Sequence, residues 1–267
     1  MLTNKEFLEI SQFVKLNYGI NLTEKKRALV AARLENYIVE KSYDSFSSYM
    51  NAVRSDESGN LMKEFLNRIT TNHSYFWREK EHFEYFRNEV LPYLKKVKKD
   101  RDLRIWSAGC SSGQEAYTLA MIIDDFFGKE KTLWNTQILA TDISDKVLAV
   151  ARTGSYKKDD VMEVPNYYYK KYFDKLTSTE VNITNKLKDE VLFRRLNLLS
   201  DYRFKKNFDV IFCRNVMIYF DFQTKHEIMK KFYNVLDSGG HLFIGHSESI
   251  DRNIVPFKYV KPSIYVK

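Results

Sequence analysis

Hydrophobic positions in the first seventy residues recur at helical spacing, and strand-like alternation does not occur there. Thr3 and Glu6 form a capping-box pair at the start of a first helix, which Gly19 is expected to end. Asp44 is placed to cap a third helix after a polar turn. The pattern therefore predicts an all-helical domain over residues 1–70.

From residue 101 onward, short apolar strands alternate with helices. The segment 208–213 is almost wholly apolar, as expected of a strand that is buried on both faces of a parallel sheet. The other predicted strands cover 103–106, 136–140, 241–245 and 264–266, and the predicted helices cover 114–127, 147–152 and 225–236. This alternation predicts a doubly wound α/β domain over residues 101–267, preceded by a linker and connecting helix at 71–100.

Aromatic and charged residues interrupt this alternation before the strand at 208–213. Residues 180–184 and 190–194 are typical of short strands, and polar turns separate them. We therefore expect a small antiparallel β-subdomain, inserted at about 165–195 between two strands of the main sheet.

The composition is that of a globular protein with a basic surface. The 267 residues are 44% hydrophobic and 29% charged, which is too apolar for a disordered chain. The formal net charge of +8 favours an acidic partner, which includes nucleic acid, an anionic membrane or an acidic protein. The sequence has no block of basic residues interleaved with aromatic residues, which is the pattern that a nucleic-acid groove often shows.

The cysteine content, the N-terminal residues and the short apolar runs indicate a cytoplasmic protein. The two cysteines, Cys110 and Cys213, are too few for a disulfide scaffold and favour a reducing compartment. The N-terminus carries charges where a signal peptide needs apolar residues, and no apolar run approaches the roughly 20 residues of a spanning helix.

The loops that follow the predicted strands are the candidate site, because ligands of parallel sheets bind at the carboxyl ends of the strands. The loop Ser107–Gly113 contains small residues ahead of a helix, which permits close approach to a ligand, although simple turn chemistry explains it equally well. Asp142 ends the second strand, where a carboxylate can accept both hydroxyls of a ribose or cap the next helix. Glu115 forms a capping box with Ser112 and can also face a ligand.

Several kinds of site are not indicated. The five histidines have no metal-ligand spacing and the cysteines have no nearby histidine, so we expect no metal. Neither a phosphate-binding loop nor a nucleophile elbow occurs. A ribose-binding carboxylate without a phosphate-binding motif suggests a nucleoside ligand that lacks phosphate, and S-adenosylmethionine fits that description.

Six segments together resemble the CheR family of chemotaxis receptor methyltransferases. They are residues 70–79, 105–115, 140–143, 197–199, 208–220 and 245–248, and among them CRNVMIYF at 213–220 is specific to the family. The resemblance spans essentially the whole chain. Residues 114–118 read QEAYT where the family usually has EEPYS, and Ser74 replaces the usual threonine; neither change removes a charge that the chemistry needs.

The resemblance implies an S-adenosylmethionine-dependent protein-glutamate O-methyltransferase that acts on chemoreceptors. The positions that match the family's cofactor contacts are Asn72, Ser74, Arg78, Glu115, Asp142, Asn197, Leu198, Cys213 and Arg214. Arg78 and Tyr219 would lie nearest the reacting groups. The implied partner is the cytoplasmic domain of methyl-accepting chemotaxis receptors, with no direct membrane insertion, no nucleic acid and no need for more than a monomer.

Two parts of the chain are candidates for receptor contact. The insert resembles the family's small β-subdomain, which in some members binds a peptide at the receptor's C-terminus by strand addition. Residues 176–180 stand where a turn rich in Asp and Gly is expected, so peptide binding stays open. The basic face of the second helix is the other candidate, and a solvated surface explains it equally well.

Two rival functions use the same fold. A nucleic-acid methyltransferase suits the basic charge, but amino-methylating enzymes of that kind have Asn-Pro-Pro-Tyr or a similar motif where this chain has residues 214–217, which lack proline. A non-catalytic receptor adaptor would keep the cofactor site without the reaction. Retention of Arg78, Asp142 and Tyr219 argues against the adaptor.

Overall fold

The N-terminal domain consists of helices that bury one shared apolar core. In a computed structural model of the protein, residues 1–251 and 254–267 are described. The helices are α1 (Asn4–Tyr18), α2 (Arg27–Glu40), α3 (Phe46–Ser55) and α4 (Asn60–Ile69). Their inward faces bring Ile10, Leu34, Tyr49 and Phe65 together, each fully shielded from solvent. The expected helical domain is confirmed.

The helix ends agree with the sequence at α1 and differ from it at α3. Thr3 Oγ1 accepts the N–H of Glu6 at 3.3 Å, and the Glu6 carboxylate accepts the N–H of Thr3 at 2.9 Å, which completes the capping box. Ser45, rather than the expected Asp44, caps α3. The extended backbone of Ser45 lets its hydroxyl accept a first-turn N–H at 3.0 Å.

Residues beyond α4 form two sheets and the helices that cover them. The helices are α5 (Lys80–Tyr85), α6 (Leu91–Val97), α7 (Gln114–Phe127), α8 (Asp145–Thr153), α9 (Asn166–Tyr172), α10 (Asn185–Lys188) and α11 (Phe222–Val235). The strands are β1 (Ile105–Ala108), β2 (Ile138–Asp142), β3 (Ser155–Lys157), β4 (Phe173–Lys175), β5 (Glu180–Ile183), β6 (Val191–Arg195), β7 (Phe208–Cys213), β8 (Leu236–Ile244), β9 (Lys258–Lys261) and β10 (Ile264–Val266). None of the described helices is long and apolar enough to cross a membrane.

The main sheet has seven strands in the order β6-β2-β1-β7-β8-β10-β9. The first five are parallel, and β10 pairs antiparallel with β8 and β9. Alternate residues of the central strands β1, β2 and β7 enter two hydrophobic clusters, one against α5–α7 and one against α11. The doubly wound α/β fold is therefore confirmed. The strand order reverses between β1 and β7, which places their carboxyl-end loops side by side.

The predicted insert is confirmed as an antiparallel sheet, but its expected boundaries are wrong. The small sheet has the order β3-β5-β4 and already begins at Ser155. The segment predicted as the insert's last strand is β6, which pairs parallel with β2 in the main sheet. Its buried positions Val191 and Phe193 pack inward while Arg194 and Arg195 stay exposed, a pattern that suits an edge strand.

Strand β8 is longer than its pattern indicates. Residues 237–240, which lie between the predicted helix at 225–236 and the predicted strand at 241–245, belong to the strand, and α11 passes into it directly at Leu236. Gly239 adopts a φ of 78°, and the β7–β8 register shifts between Phe208 and Val210. The added residues therefore form a glycine-rich irregularity at the start of the strand.

Candidate active site

A cleft opens at the carboxyl ends of β1, β2 and β7, and the N-terminal helical domain forms its opposite wall. It is lined by nearly every residue that the sequence singled out, namely Asn72, Ser74, Arg78, Glu115, Asp142, Asn197, Leu198, Arg214 and Tyr219. The chain thus brings residues from both domains to one place.

The loop after β1 lies close against neighbouring backbone and side chains. The N–H groups of Gly109 and Cys110 both donate to the carbonyl of Thr141, at 2.7 and 2.9 Å. Gly109 has a φ of 83°, and a Cβ built there would lie 2.4 Å from Cγ2 of Val216. A residue with a side chain would therefore be both strained and crowded at this position.

Asp142 is a buried, preoriented hydrogen-bond acceptor at the end of β2. Its Oδ2 accepts the N–H of Ser111 at 2.9 Å, and its Oδ1 accepts the N–H of Ser144 at 3.0 Å. Burial raises the pKa of Asp142, although these backbone hydrogen bonds act in the opposite direction. Ser144, and not Asp142, caps α8, so the capping alternative for Asp142 is wrong.

Arg214 is the buried cation at the centre of the site, and two carboxylates neutralise it. Its Nη1 lies 3.1 Å from Glu115 Oε2, its Nη2 lies 3.1 Å from Glu79 Oε2, and its Nη2 also donates to the carbonyl of Arg78. The guanidinium lies 5.0 Å from the ring centroid of Phe83. Its charge is therefore satisfied within the protein.

Glu115 does not form the capping box that its spacing predicts. Gly113 is the N-cap of α7 and makes no side-chain cap, while Ser112 Oγ donates to another side chain. The Glu115 carboxylate instead accepts from Ser107 Oγ at 2.7 Å and pairs with Arg214. Burial raises the pKa of Glu115, and the pairing with Arg214 limits this rise.

Glu79 is a central site residue that sequence reasoning missed. Its Oε2 accepts from Arg214, and its Oε1 accepts from Asn215 Nδ2 at 3.2 Å and the His246 N–H at 3.3 Å. Burial raises the pKa of Glu79, but Arg214 and these hydrogen bonds outweigh burial, so its net pKa is lowered. It lies within the segment that resembles the CheR family, yet no local spacing indicates its role.

Glu248 is a second carboxylate of the site that sequence reasoning missed. Its carboxylate accepts the backbone N–H groups of Gly245 at 2.5 Å, Asn215 at 2.9 Å and Ile218 at 3.2 Å. The last two belong to the loop that carries Tyr219. Glu248 therefore orders the loop after β7 through the loop after β8.

The two residues expected nearest the reaction are held loosely. Arg78 Nη1 donates to the carbonyl of His73 at 2.8 Å, and its guanidinium forms no ion pair with a carboxylate of the described residues. The Tyr219 hydroxyl donates to the carbonyl of Thr71 at 3.4 Å. Both side chains are half-buried and line the cleft.

The remaining predicted contacts differ in their placement. Asn197 Nδ2 donates to a carbonyl of α1 at 2.9 Å, and Asn72 Nδ2 donates to a threonine hydroxyl at 3.2 Å. Ser74 is half-buried and Leu198 is buried at the cleft wall. Cys213 is the exception, because strand alternation directs its side chain into the hydrophobic cluster beside α11, outside the cleft lining.

Glu79, His82 and His246 approach within 4.8 Å of one another, a grouping that their sequence spacing does not indicate. Both Glu79 oxygens already accept hydrogen bonds, and the Arg214 guanidinium lies 3.1 Å from one of them. Burial lowers the pKa of His82 to about 3, so its ring is neutral at pH 7. A cation would compete with Arg214 here, and we assign none to this group.

Comparison with known proteins agrees with this arrangement. The family model described as the CheR methyltransferase, all-alpha domain matches residues 5–70, and the CheR methyltransferase, SAM binding domain matches residues 72–266. The chemotaxis protein methyltransferase of Borreliella burgdorferi is 39% identical over 270 residues, covering 100% of this chain and 95% of that protein. The Escherichia coli chemotaxis protein methyltransferase is 34% identical over 252 residues, covering 93% and 85% respectively. The chain therefore belongs to the CheR methyltransferase family.

Proposed function

We propose that the protein transfers the methyl group of S-adenosylmethionine to glutamate side chains of methyl-accepting chemotaxis receptors, forming methyl esters for sensory adaptation. The observation that carries this proposal is the convergence of the family-matching residues on one cleft between the two domains. The names of the relatives, which are chemotaxis protein methyltransferases, support the same conclusion.

The residues of the cleft fit the cofactor. Asp142 presents a buried carboxylate whose two oxygens each accept one backbone N–H, which leaves further acceptor capacity for the hydroxyls of a ribose. Gly109 lets the loop after β1 pack against Val216 more closely than a residue with a Cβ could. When bound, S-adenosylmethionine supplies an electrophilic methyl group on a sulfonium.

The chain has to position the acceptor rather than activate it. A glutamate side chain has a pKa of about 4.3 and is already a carboxylate at neutral pH, so no general base is needed. The acceptor oxygen must be held in line with the methyl group, about 3 Å from it. Arg78 would orient the carboxylate through a bidentate pair, and Tyr219 would donate a hydrogen bond. Strong pairing also weakens a nucleophile, so we assign Arg78 a positioning role.

We infer that the partner is the cytoplasmic domain of the receptor, and that the enzyme is a cytoplasmic monomer that does not insert into the membrane. The positive charge of the sulfonium and the negative charge of the carboxylate are both lost in the reaction. A site that both domains shield from water therefore favours the reaction. The helical domain supplies that shield through the residues of α2 and α4 that line the cleft.

The test uses methyl-labelled S-adenosylmethionine and membranes that contain chemoreceptors of the source organism. We expect label in the receptor band that mild alkali releases as volatile methanol, because a methyl ester hydrolyses under these conditions. The Arg78→Ala variant is the matched control. Alkali-stable label, or label on RNA or DNA, would overturn the proposal in favour of an amine or nucleic-acid methyltransferase. Cofactor binding without transfer would favour the adaptor function.

A further inference from the structure

The cations that line the cleft differ in how they are neutralised. Arg214 pairs with two carboxylates, as described above. Arg33 donates to the carbonyls of Ile69 and Thr70 at 2.7 and 3.2 Å and to the Thr71 hydroxyl at 3.0 Å, so it holds the end of α4. These two arginines therefore have structural partners within the protein, whereas Arg78, the third arginine of the lining, makes one hydrogen bond to a carbonyl.

Lys26 has no such partner. Its Nζ donates one hydrogen bond, to the carbonyl of Asn21 at 3.3 Å, and forms no ion pair with a carboxylate in the described part of the chain. An ammonium carries three donors, so two of them are left for a ligand. Burial lowers the pKa of Lys26, as expected for a cation that is partly removed from water.

The position of Lys26 is tied to that of Tyr219. The Lys26 ammonium lies 5.5 Å from the Tyr219 ring centroid, and both residues line the cleft. The N–H of Asn21 donates to the Tyr219 carbonyl at 2.7 Å, and an isolated β-bridge joins Ile20 to Phe220. The helical domain thus holds the Lys26 ammonium beside a residue that we place next to the reacting groups.

We propose that the Lys26 ammonium binds the acceptor carboxylate and positions it beside Tyr219. This inference rests on the proposed function, because it requires a glutamate as the acceptor. A partly desolvated cation without a counter-ion is unfavourable, and a carboxylate entering the cleft would relieve that penalty. Lys26 would then be a specificity-determining residue that selects an anionic acceptor over a neutral amide.

The same charge would favour release of the product. The bond from sulfur to methyl breaks, its electron pair stays on sulfur as a neutral thioether, and the carboxylate oxygen supplies the electron pair of the new bond to the methyl group. No proton moves, and the acceptor becomes an uncharged ester. The Lys26 ammonium therefore attracts the glutamate carboxylate but not the uncharged methyl ester that the reaction forms.

The experiment compares Lys26→Met with Lys25→Met. Lys25 lies in the same 3-10 turn, is exposed and is outside the cleft lining, so its replacement removes an equal charge at an adjacent position. Steady-state methylation of a receptor cytoplasmic fragment gives kcat and KM, and calorimetry gives the Kd for S-adenosylmethionine. We expect Lys26→Met to lower kcat/KM roughly tenfold to hundredfold, mainly through KM, with the cofactor Kd unchanged. Lys25→Met should stay near wild type, and Lys26→Arg should recover part of the loss.

A second comparison tests the charge directly. Replacing the methylated glutamates of the fragment by glutamine should weaken its binding to the wild-type enzyme more than its binding to the Lys26→Met variant. Equal effects of Lys26→Met and Lys25→Met, or equal loss of binding by the two enzymes, would overturn the inference. A weaker cofactor Kd with unchanged receptor KM would overturn it too, since Lys26 would then serve the cofactor. Absence of alkali-labile transfer by wild type would instead contradict the proposed function.

Discussion

Several residues around the cleft adopt a backbone conformation that side chains disfavour. Trp77, Glu79, Ser111 and Asn215 have φ values of 60°, 53°, 50° and 58°. Such left-handed conformations are uncommon outside glycine and cost of order 1–3 kcal/mol each. Two of them are held by backbone hydrogen bonds to the carboxylates of Asp142 and Glu248, and a third is Glu79 itself. The strain is thus concentrated where the cleft has to be shaped.

Gly109→Ala should weaken the binding of S-adenosylmethionine. The added Cβ would meet Cγ2 of Val216 at 2.4 Å, and a φ of 83° is unfavourable for alanine. We expect a rise in the Kd of about tenfold or more, measured by calorimetry, since a few kcal/mol of strain falls on the loop. Adding Val216→Ala should relieve the contact and recover part of the loss. An unchanged Kd would show that the loop shifts freely.

Arg78→Ala should lower turnover by about two orders of magnitude or more, because positioning by a bidentate pair is lost. Circular dichroism should show an intact fold, since the Arg78 side chain makes one hydrogen bond, to the His73 carbonyl. Arg78→Lys should restore little activity because an ammonium cannot form the bidentate pair. Near-normal turnover of Arg78→Ala in the receptor assay would contradict the positioning role.

At the scale of elements, the site depends on three loops held by two carboxylates. Glu79 joins the segment before α5 to the loops after β7 and β8, and Glu248 joins the last two loops to each other. These hydrogen bonds join segments that lie far apart in sequence. The loops therefore form one unit although no two of them are adjacent along the chain.

Glu79→Ala should destabilise the protein by about 3 kcal/mol, because it leaves the buried Arg214 with one carboxylate partner and removes acceptors for Asn215 and His246. Urea unfolding gives the free energy, and calorimetry should show weaker cofactor binding. Glu79→Gln, which keeps the size and one acceptor, should be less damaging. A free energy of unfolding within about 0.5 kcal/mol of wild type would contradict the role of Glu79.

At the scale of the whole molecule, the helical domain is a wall of the active site rather than an appendage. Lys15 of α1 pairs with Asp221 at 2.8 Å, and Asn197 Nδ2 donates to the carbonyl of Asn17 at 2.9 Å. Both contacts lie beside the β-bridge between Ile20 and Phe220. The segments that join the two domains therefore lie next to residues that line the cleft.

Asp221→Asn should destabilise the protein in a pH-dependent way. The hydrogen bonds from Lys15 and Thr224 lower the pKa of Asp221 to about 2. Because the folded pKa lies below the unfolded value of about 3.9, the stabilisation is present above that value and is lost as the pH falls through about 2. Unfolding by urea at several pH values should show the difference from wild type shrinking over this range. A difference that does not vary with pH would contradict the ion pair.

Comparing Asp221→Ala with Asp221→Asn separates the contribution of the charge from that of the helix cap. Asp221 caps α11 by accepting the N–H of Thr224 at 2.9 Å, and asparagine can keep that hydrogen bond. Alanine cannot, so we expect it to cost about 1 kcal/mol more than asparagine at neutral pH.

The sequence by itself determined the helical domain, the alternating strands and the loops that carry the site. Those features follow from local rules, such as the capping box at Thr3 and the apolar run of β7, which act over a few residues. The resemblance to the CheR family added which residues should meet. Local patterns were misleading where two interpretations compete, as at Glu115, where the spacing of a capping box also suits a buried ion pair.

The tertiary structure decided which partners those residues take. Strand β6 pairs parallel with β2 and so belongs to the main sheet, and Cys213 faces the core because β7 alternates between two buried faces. Glu79 meets Arg214 across 135 positions of sequence, and Lys26 reaches Tyr219 from the other domain. Periodicity records only which face of an element is buried, whereas such pairs form only when the sheet and the helical domain are packed together.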